Sequence, residues 1–295
     1  MRITERSLGV AFFIVLSALP TISHEPITSH TAIFDESRKA VFSSTVFGSD
    51  LPSTAERTFQ KRFCGCIGVY VAGASIADRL SEQIGVEKCI TFPFLAVLSV
   101  FALVWLGRRG LFRKYGLCKG NVKASRFLYY LPLVVLTSCN LWQGVALNLP
   151  FTETALYVGS MLGVGFLEEL IFRGFLFKAM SKDGLKAAVI VSSLTFGIGH
   201  LVNLVNGSGM GLLANLCQVC FAVAFGFLCV IIFHRGGSLV PCIVTHGVFN
   251  ALSVFGDQAK ETWQTQILIS VVLTLLALGY ALALLKLLPQ NETNH

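Results

Sequence analysis

From residue 90 onward, long apolar stretches alternate with short polar loops. A helix needs about 20 apolar residues to cross a bilayer, because it rises only ~1.5 Å per residue. Seven stretches approach that length, and none shows strand-like alternation or an internal repeat. The pattern therefore predicts an all-α, polytopic transmembrane bundle of about seven to eight membrane helices. The predicted spans are 90–106, 127–149, 154–177, 185–205, 212–233, 238–255 and 264–288.

The N-terminal part differs from this pattern, so we predict two regions, 1–89 and a membrane-embedded bundle at 90–295. Two arginines precede an apolar run at 8–19, which is typical of a signal peptide or a short signal anchor. A polar, Ser/Thr-rich stretch at 23–62 is expected to be weakly ordered. A second, weaker apolar run follows at 63–77, where three glycines interrupt it.

Loop charges predict the orientation of the bundle. The loop at 107–126 carries seven lysines and arginines and no acidic residue. Such loops remain in the cytoplasm. With this loop inside, the other net-basic loops, at 178–186 and 234–235, also fall inside, as do Lys286 and the tail. This agreement supports the list of spans.

The same orientation constrains the two weak N-terminal runs. The span at 90–106 must run from outside to inside, so 8–19 and 63–77 cannot both be conventional crossings that start from the cytoplasm. We assign 8–19 as the signal-like segment. The run at 63–77 is then expected to be interfacial or re-entrant.

Composition agrees with a membrane protein. Of 295 residues, 54% are hydrophobic and 13% are charged, whereas soluble domains carry about 25% charged residues. The net charge of +7 belongs to loops beside apolar segments, where it sets topology and meets anionic lipid. It is therefore no sign of nucleic-acid binding.

The nine cysteines add little. Cys217 and Cys220 have a metal-like spacing, but no second pair accompanies them, and a zinc site needs more ligands. Cys64, Cys66 and Cys89 flank the weak N-terminal run. They allow a disulfide only if that region faces an oxidising compartment.

Three charges lie inside the apolar run at 154–177, namely Glu168, Glu169 and Arg173. A charge near the bilayer centre costs about 2.5–3.5 kcal/mol on insertion scales, so such residues pair, line a wet cavity or do chemistry. Residues four apart share a helix face, and we predict an ion pair between Glu169 and Arg173. Glu168 points about 100° away. It is left as an unpaired carboxylate and a candidate general base.

Later apolar helices contain His200, His246 and Asn250. His246 and Asn250 share a face, as do His200 and Phe196, whose ring would pack or line a substrate. A lone intramembrane histidine is often only a helix–helix hydrogen-bonding residue. Buried Glu and His also fit a proton-coupled transporter, although transporters usually show internal repeats. We expect the function where these helices meet.

These residues form three motifs in chain order: Glu168-Glu169-x-x-x-Arg173, Phe196-x-x-x-His200 and His246-x-x-x-Asn250. Together they resemble the motif set of the CPBP family, the CAAX prenyl endopeptidase and bacteriocin-processing (Abi) family, with similar architecture over 127–255. The resemblance implies an intramembrane endopeptidase. Separately, we expect a bacterial plasma membrane rather than the endoplasmic reticulum. Its substrate would be a prenylated CAAX-type C-terminus or a leader or membrane peptide. A catalytically inert immunity or scaffold protein of the same fold is the alternative.

The resemblance also implies roles by motif position. Glu168 and His200 would activate the attacking water. His246 and Asn250 would polarise the scissile carbonyl and hold its oxyanion. The supporting residues would shape and neutralise the site: Glu169, Arg173 and Phe196.

A metal is possible but not favoured. Glu168, His200 and His246 could bind Zn²⁺ with water in the fourth position, yet the chain has no His-Glu-x-x-His motif. The expected partners are membrane lipid and a peptide or lipidated protein. Phe172 and Phe175, with the ring of Phe196, could line a path for a lipid-like substrate.

Overall fold

The computed structural model describes residues 54–182, 184–201, 211–260 and 262–289. Over these ranges the chain is helical and contains no β-strand, only an isolated antiparallel bridge between Val145 and Gly256. The eight α-helices of the described ranges are α1 Thr54–Ile84, α2 Thr91–Arg108, α3 Leu131–Ser138, α4 Phe151–Met180, α5 Leu185–Gly199, α6 Leu212–Gly236, α7 Val240–Leu252 and α8 Trp263–Leu287. The predicted all-α transmembrane bundle is confirmed.

Four of these helices, α2, α4, α6 and α8, are long and apolar enough to cross a membrane, and α5 and α7 are shorter apolar helices. The chain is therefore an integral membrane protein. In the most apolar 18-residue segment of α6, 61% of the residues are buried, whereas the corresponding shares are 17% in α2 and 28% in α8. Thus α6 lies in the interior, while α2 and α8 present most of their apolar surface outward, where lipid would meet it.

The prediction of a continuous span at 127–149 is wrong. Only Leu131–Ser138 is α-helical there, and 3₁₀ turns flank it. Residues 128–130 have positive φ values, which an α-helix cannot contain. Further on, Asn140 and Asn148 donate side-chain hydrogen bonds to backbone carbonyls at the end of α7 and just beyond it. Tertiary contacts therefore stabilise a broken chain where apolar composition indicated a helix.

The run at 63–77 does not form the re-entrant segment that was one of the two expectations for it. These residues form the middle of α1, a continuous helix about 46 Å long that runs antiparallel to α2. Gly73 lies against the ring of Phe94, and Lys88 binds Asp78 at 2.9 Å near the turn between the two helices. The signal-like run nearer the N-terminus lies outside the described residues, as does most of the Ser/Thr-rich stretch.

The basic loops that were predicted on one side do meet at one end of the bundle. The backbone N–H of Asn121, in the long basic loop, donates to the carbonyl of Gly236 at the end of α6. Arg235 donates to the carbonyl of Leu288 at the end of α8, at 3.0 Å. The loop after α2, the end of α6 and the end of α8 therefore share one side.

The less basic turns meet at the opposite end. The N–H of Ala146 donates to the carbonyl of Phe255 after α7, and the N–H of Glu87 donates to the carboxylate of Glu153 at the start of α4. The chain between Asn121 and Ala146 thus passes from one end of α7 to the other. The crossing predicted there is present, although not as one helix.

Helices α4 and α7 come into backbone contact at Gly165 and Gly247. A Cβ atom on Gly165 would lie 2.5 Å from the backbone nitrogen of Gly247. Small residues at such contacts let membrane helices pack closely. Because Glu168 lies one turn beyond Gly165 and His246 directly precedes Gly247, this contact brings the two polar side chains face to face.

We expect the basic end to face the cytoplasm. The test uses single cysteines in a cysteine-free background, labelled in intact cells with a membrane-impermeant thiol reagent. Lys119→Cys, in the basic loop, should be protected. Lys260→Cys, on the opposite side, should react. Both side chains are exposed, so burial does not confound the comparison. The reverse labelling pattern would invert the orientation.

Candidate functional site

His246 lies between the two consecutive carboxylates of α4. Its Nδ1 is 3.0 Å from Oε1 of Glu169, and its Nε2 is 3.7 Å from Oε2 of Glu168. The imidazole is buried, while 17% of the Glu168 side chain is exposed. The two glutamates project about 100° apart on the helix. Glu169 therefore contacts Nδ1 of the ring, while Glu168 faces Nε2. The histidine ring is therefore fixed and its Nε2 is directed toward Glu168.

The predicted pair between Glu169 and Arg173 is present. Arg173 Nη1 donates to Oε1 of Glu169 at 3.0 Å, and both side chains are fully buried. Oε1 of Glu169 thus contacts both Nη1 of Arg173 and Nδ1 of His246. The second carboxylate oxygen of Glu169, and Nε and Nη2 of Arg173, make no hydrogen bond within the described residues. The pair is therefore needed to balance charge, since burying either partner alone is expensive.

The backbone around Arg173 is a π-helix, which the sequence did not indicate. Residues Leu170–Phe177 form this wider turn in continuation of the α-helix that ends at Glu169. Its carbonyl at Phe172 accepts a hydrogen bond from Ser192 of α5 at 2.9 Å. Short π segments inside α-helices are frequent at functional sites.

A glycine of α6 makes room for the guanidinium. A Cβ atom on Gly226 would lie 3.0 Å from Nη2 of Arg173 and 3.1 Å from the Cα of Ser193. The absence of a side chain lets α5, α6 and the arginine meet at one point. The buried cation thus depends on helices that are distant in sequence.

The expectation that Glu168 is unpaired is wrong. Its Oε1 accepts a hydrogen bond from the hydroxyl of Tyr70 at 2.7 Å. Tyr70 is buried and belongs to α1. A single tyrosine in an apolar run carries no signal in sequence, so this partner was missed. Glu168 therefore meets a phenol on one oxygen and an imidazole near the other.

Phe196 is the common neighbour of the polar groups. Its ring centroid lies 4.0 Å from the guanidinium carbon of Arg173, 5.0 Å from the His200 ring and 5.5 Å from the His246 ring. A cation over an aromatic face is stabilised by the ring quadrupole, which helps Arg173. Phe196 and Phe172 are both buried and pack edge to face. They form the wall behind the site rather than an open substrate path.

His200 ends α5, and its imidazole Nδ1 is 3.0 Å from the carbonyl oxygen of Phe196. Asn215 of α6 donates to the His200 carbonyl at 2.9 Å and so holds the helix end. His200 is half-buried and within electrostatic reach of Glu168 and His246. It is therefore close to the other site residues, although it makes no hydrogen bond to them.

Asn250 lies one turn beyond His246 on α7 and is half-buried. Its backbone carbonyl accepts from Ser253. Within the described part of the chain, its side-chain amide makes no hydrogen bond. That amide is available to a ligand that enters beside His246.

Among the described residues, one trio brings possible metal-ligand atoms within 4.8 Å of one another, namely Glu169, Cys229 and Cys242. All three are buried, and the thiol of Cys242 points at the carbonyl of Cys229 at 3.5 Å. The Glu169 carboxylate already holds Arg173 and His246. A positive guanidinium at this position opposes a metal cation, so the two thiols act here as small buried side chains.

The buried pair predicts a stability effect. Arg173→Ala leaves the Glu169 carboxylate without its cation, and removing one partner of a buried pair costs about 3–5 kcal/mol. We expect a clearly lower melting temperature in detergent. The control is the double variant Glu169→Gln with Arg173→Met, which removes both charges and should recover most of the loss. An unchanged melting curve for Arg173→Ala would contradict the pairing.

One comparison with known proteins bears on this arrangement. Residues 150–252 match the family model described as type II CAAX prenyl endopeptidase Rce1-like. No curated protein and no solved structure matches the chain. The matched range holds α4 to α7, and hence all three polar motifs, but not α1. These four helices, and the three polar motifs on them, are therefore similar to the CAAX protease (CPBP, Abi) family of membrane-embedded proteases.

Proposed function

We propose that this protease hydrolyses its substrate with a water activated by Glu168 and His200, while His246 and Asn250 hold the oxyanion. The observation that carries the proposal is the placement of His246, fixed by Glu169 on one nitrogen and facing Glu168 with the other. A carboxylate next to a fixed imidazole, with the Asn250 amide one helical turn away on α7, supports a hydrolytic site here.

The acceptor side consists of Glu168 and His200. A carbonyl oxygen only accepts hydrogen bonds, so the contact with Phe196 requires that Nδ1 of His200 carries the proton. Neutral His200 then has a lone pair on Nε2. Glu168 is the site carboxylate with part of its surface exposed. A water between these two acceptors can lose a proton to the carboxylate, as general-base hydrolysis requires.

The donor side consists of His246 and Asn250. Two carboxylates and one guanidinium leave a net charge of one negative unit in the cluster. Because Nδ1 of His246 donates to Glu169 in this scheme, His246 can donate to the oxyanion from Nε2 only when both ring nitrogens carry a proton. The amide of Asn250, one turn away, adds a second donor. Two such donors directed at the developing oxyanion stabilise the transition state.

The runner-up mechanism places Zn²⁺ on Glu168, His200 and His246. Zinc binds nitrogen and oxygen at about 2.0–2.2 Å in a tetrahedron, so its ligand atoms must converge tightly. These three residues are not among the groups gathered within 4.8 Å in the described structure. The metal-independent mechanism that we propose predicts that activity persists after treatment with a zinc chelator.

We infer a substrate that reaches the site from the membrane. The carboxylate of Glu168 lies within α4, one of the four spans, and the wall formed by Phe172 and Phe196 is apolar. A prenylated CAAX-type C-terminus fits this setting best, and a leader or membrane peptide is the second choice. A bacterial plasma membrane is the location we propose.

The mechanism predicts the effect of single substitutions. Glu168→Gln, His200→Ala and His246→Ala should each abolish cleavage of a fluorogenic farnesylated CAAX peptide by the purified protein in detergent micelles. The matched control is Glu153→Gln, which removes an acid from the same helix about 22 Å away. It should retain activity.

Each outcome has a definite meaning. Full turnover by Glu168→Gln would remove that residue as the base. Wild-type protein that folds but cleaves neither the farnesylated peptide nor membrane peptides would favour the inert scaffold reading. Loss of wild-type activity with chelator, restored by zinc, would favour the metal mechanism.

Tyr70 should act as a positioning residue. Tyr70→Phe removes the hydrogen bond to Glu168 but keeps the ring, so we expect kcat to fall about tenfold or more with little change in KM. A hydrogen bond to a charged group contributes about 1.5–3 kcal/mol, and 1.4 kcal/mol is a factor of ten in rate. Tyr157→Phe is the control, because its hydroxyl bonds Ser253 at 2.9 Å, away from the site. Equal effects of both variants would assign Tyr70 a structural role only.

A further inference from the structure

A second concave site lies at the basic end of the bundle, apart from the proposed active site. It is a cavity of 440 Å³ between the loop that follows α2 and the C-terminal end of α8. Lys123, Arg126 and Lys286 line it, together with the polar side chains of Asn121 and Ser125. No acidic residue is among its lining residues.

The three cations have no carboxylate partner in the described part of the chain. All three are exposed at the cavity, whereas Arg235, at the same end, already binds backbone carbonyls. Arg235 donates to the carbonyls of Leu285 and Leu288 and so satisfies backbone acceptors at the end of α8. The cavity therefore concentrates positive charge that no described protein group neutralises.

The backbone beside the cavity is strained. Residues 128–130, which begin two positions after Arg126, all have left-handed φ values of 50° to 60°. A left-handed conformation costs non-glycine residues roughly 1–2 kcal/mol each. Such strain persists where surrounding contacts hold it, and it clusters at functional sites. Here it is held by Phe127, which is buried, stacks on Tyr130 and accepts a hydrogen bond from Tyr280.

The strained turn presents apolar groups beside the cations. Leu128, Tyr129 and Leu131 are exposed, at 42%, 70% and 63%. A tyrosine at this level is typical of the membrane–water interface. The cavity lining itself adds the apolar residues Val122, Leu287 and Pro289. The cavity thus combines positive and apolar side chains, and the exposed apolar groups of the strained turn follow within five residues of Arg126 in the chain.

We propose that this cavity binds the phosphate headgroup of an anionic phospholipid, with its acyl chains along Leu128 and Leu131. Lys123, Arg126 and Lys286 neutralise the phosphate, and Asn121 and Ser125 supply hydrogen bonds. Basic pockets on the cytoplasmic side of membrane helices bind anionic headgroups in this way. The cavity contains none of the active-site residues, so the proposal does not rest on the proposed mechanism.

The test compares lipids and matched variants. Wild-type protein in neutral detergent is titrated with phosphatidylglycerol or with phosphatidylcholine of the same acyl chains, and its melting temperature and bound lipid, by native mass spectrometry, are measured. Phosphatidylglycerol should bind and raise the melting temperature more than phosphatidylcholine. The triple variant Lys123→Gln, Arg126→Gln, Lys286→Gln should bind phosphatidylglycerol more weakly by on the order of 100-fold, since each cation near an anionic lipid contributes roughly fivefold.

The control removes three other positive charges from the same basic region, with Arg108→Gln, Arg109→Gln and Arg113→Gln, outside the cavity. It should keep the preference for phosphatidylglycerol. Equal loss in both triple variants would show general charge attraction and overturn the site. Inorganic phosphate alone serves as a further probe. If inorganic phosphate raises the melting temperature as much as phosphatidylglycerol does, the ligand is a free phosphate rather than a lipid.

Discussion

One buried carboxylate holds this structure's polar centre together. Oxygen Oε1 of Glu169 receives both Arg173 and His246 at 3.0 Å, with neither carboxylate nor guanidinium exposed. In a low-dielectric interior each charge alone would be prohibitive. Because the Arg173 guanidinium neutralises the Glu169 carboxylate, α4 can carry this pair in an apolar environment. The same oxygen orients the His246 ring, so stability and site geometry depend on one contact.

Close helix packing makes that contact possible. Gly165 and Gly247 let α4 and α7 touch backbone to backbone, and Gly226 leaves space for the guanidinium beside α6. The π-helical turn at Leu170–Phe177 continues the helix past the site, and α5 satisfies one of its carbonyls. In a membrane, where apolar attraction between helices is weak, such small-residue contacts decide which faces meet.

Two features lie outside the region matched by the family model. Tyr70 of α1 reaches the carboxylate of Glu168, and the basic cavity lies between the loop after α2 and the end of α8. The four matched helices hold the polar cluster, while the flanking helices add a phenol on one side and a positive cavity at one end. Properties particular to this chain are therefore expected from the flanking helices.

The sequence by itself determined the membrane class, most of the helices, the grouping of basic loops at one end and the pair between Glu169 and Arg173. Each follows from local physics: apolar length, loop charge and four-residue spacing on a helix. Only the tertiary structure decided that 127–149 is broken, that α1 packs beside α2, and that Glu168 has Tyr70 as a partner. These outcomes depend on contacts between residues far apart in the chain, such as Asn148 with the end of α7. Hydropathy and periodicity report how well a segment suits lipid or a helix, and they carry no information about the partner it meets.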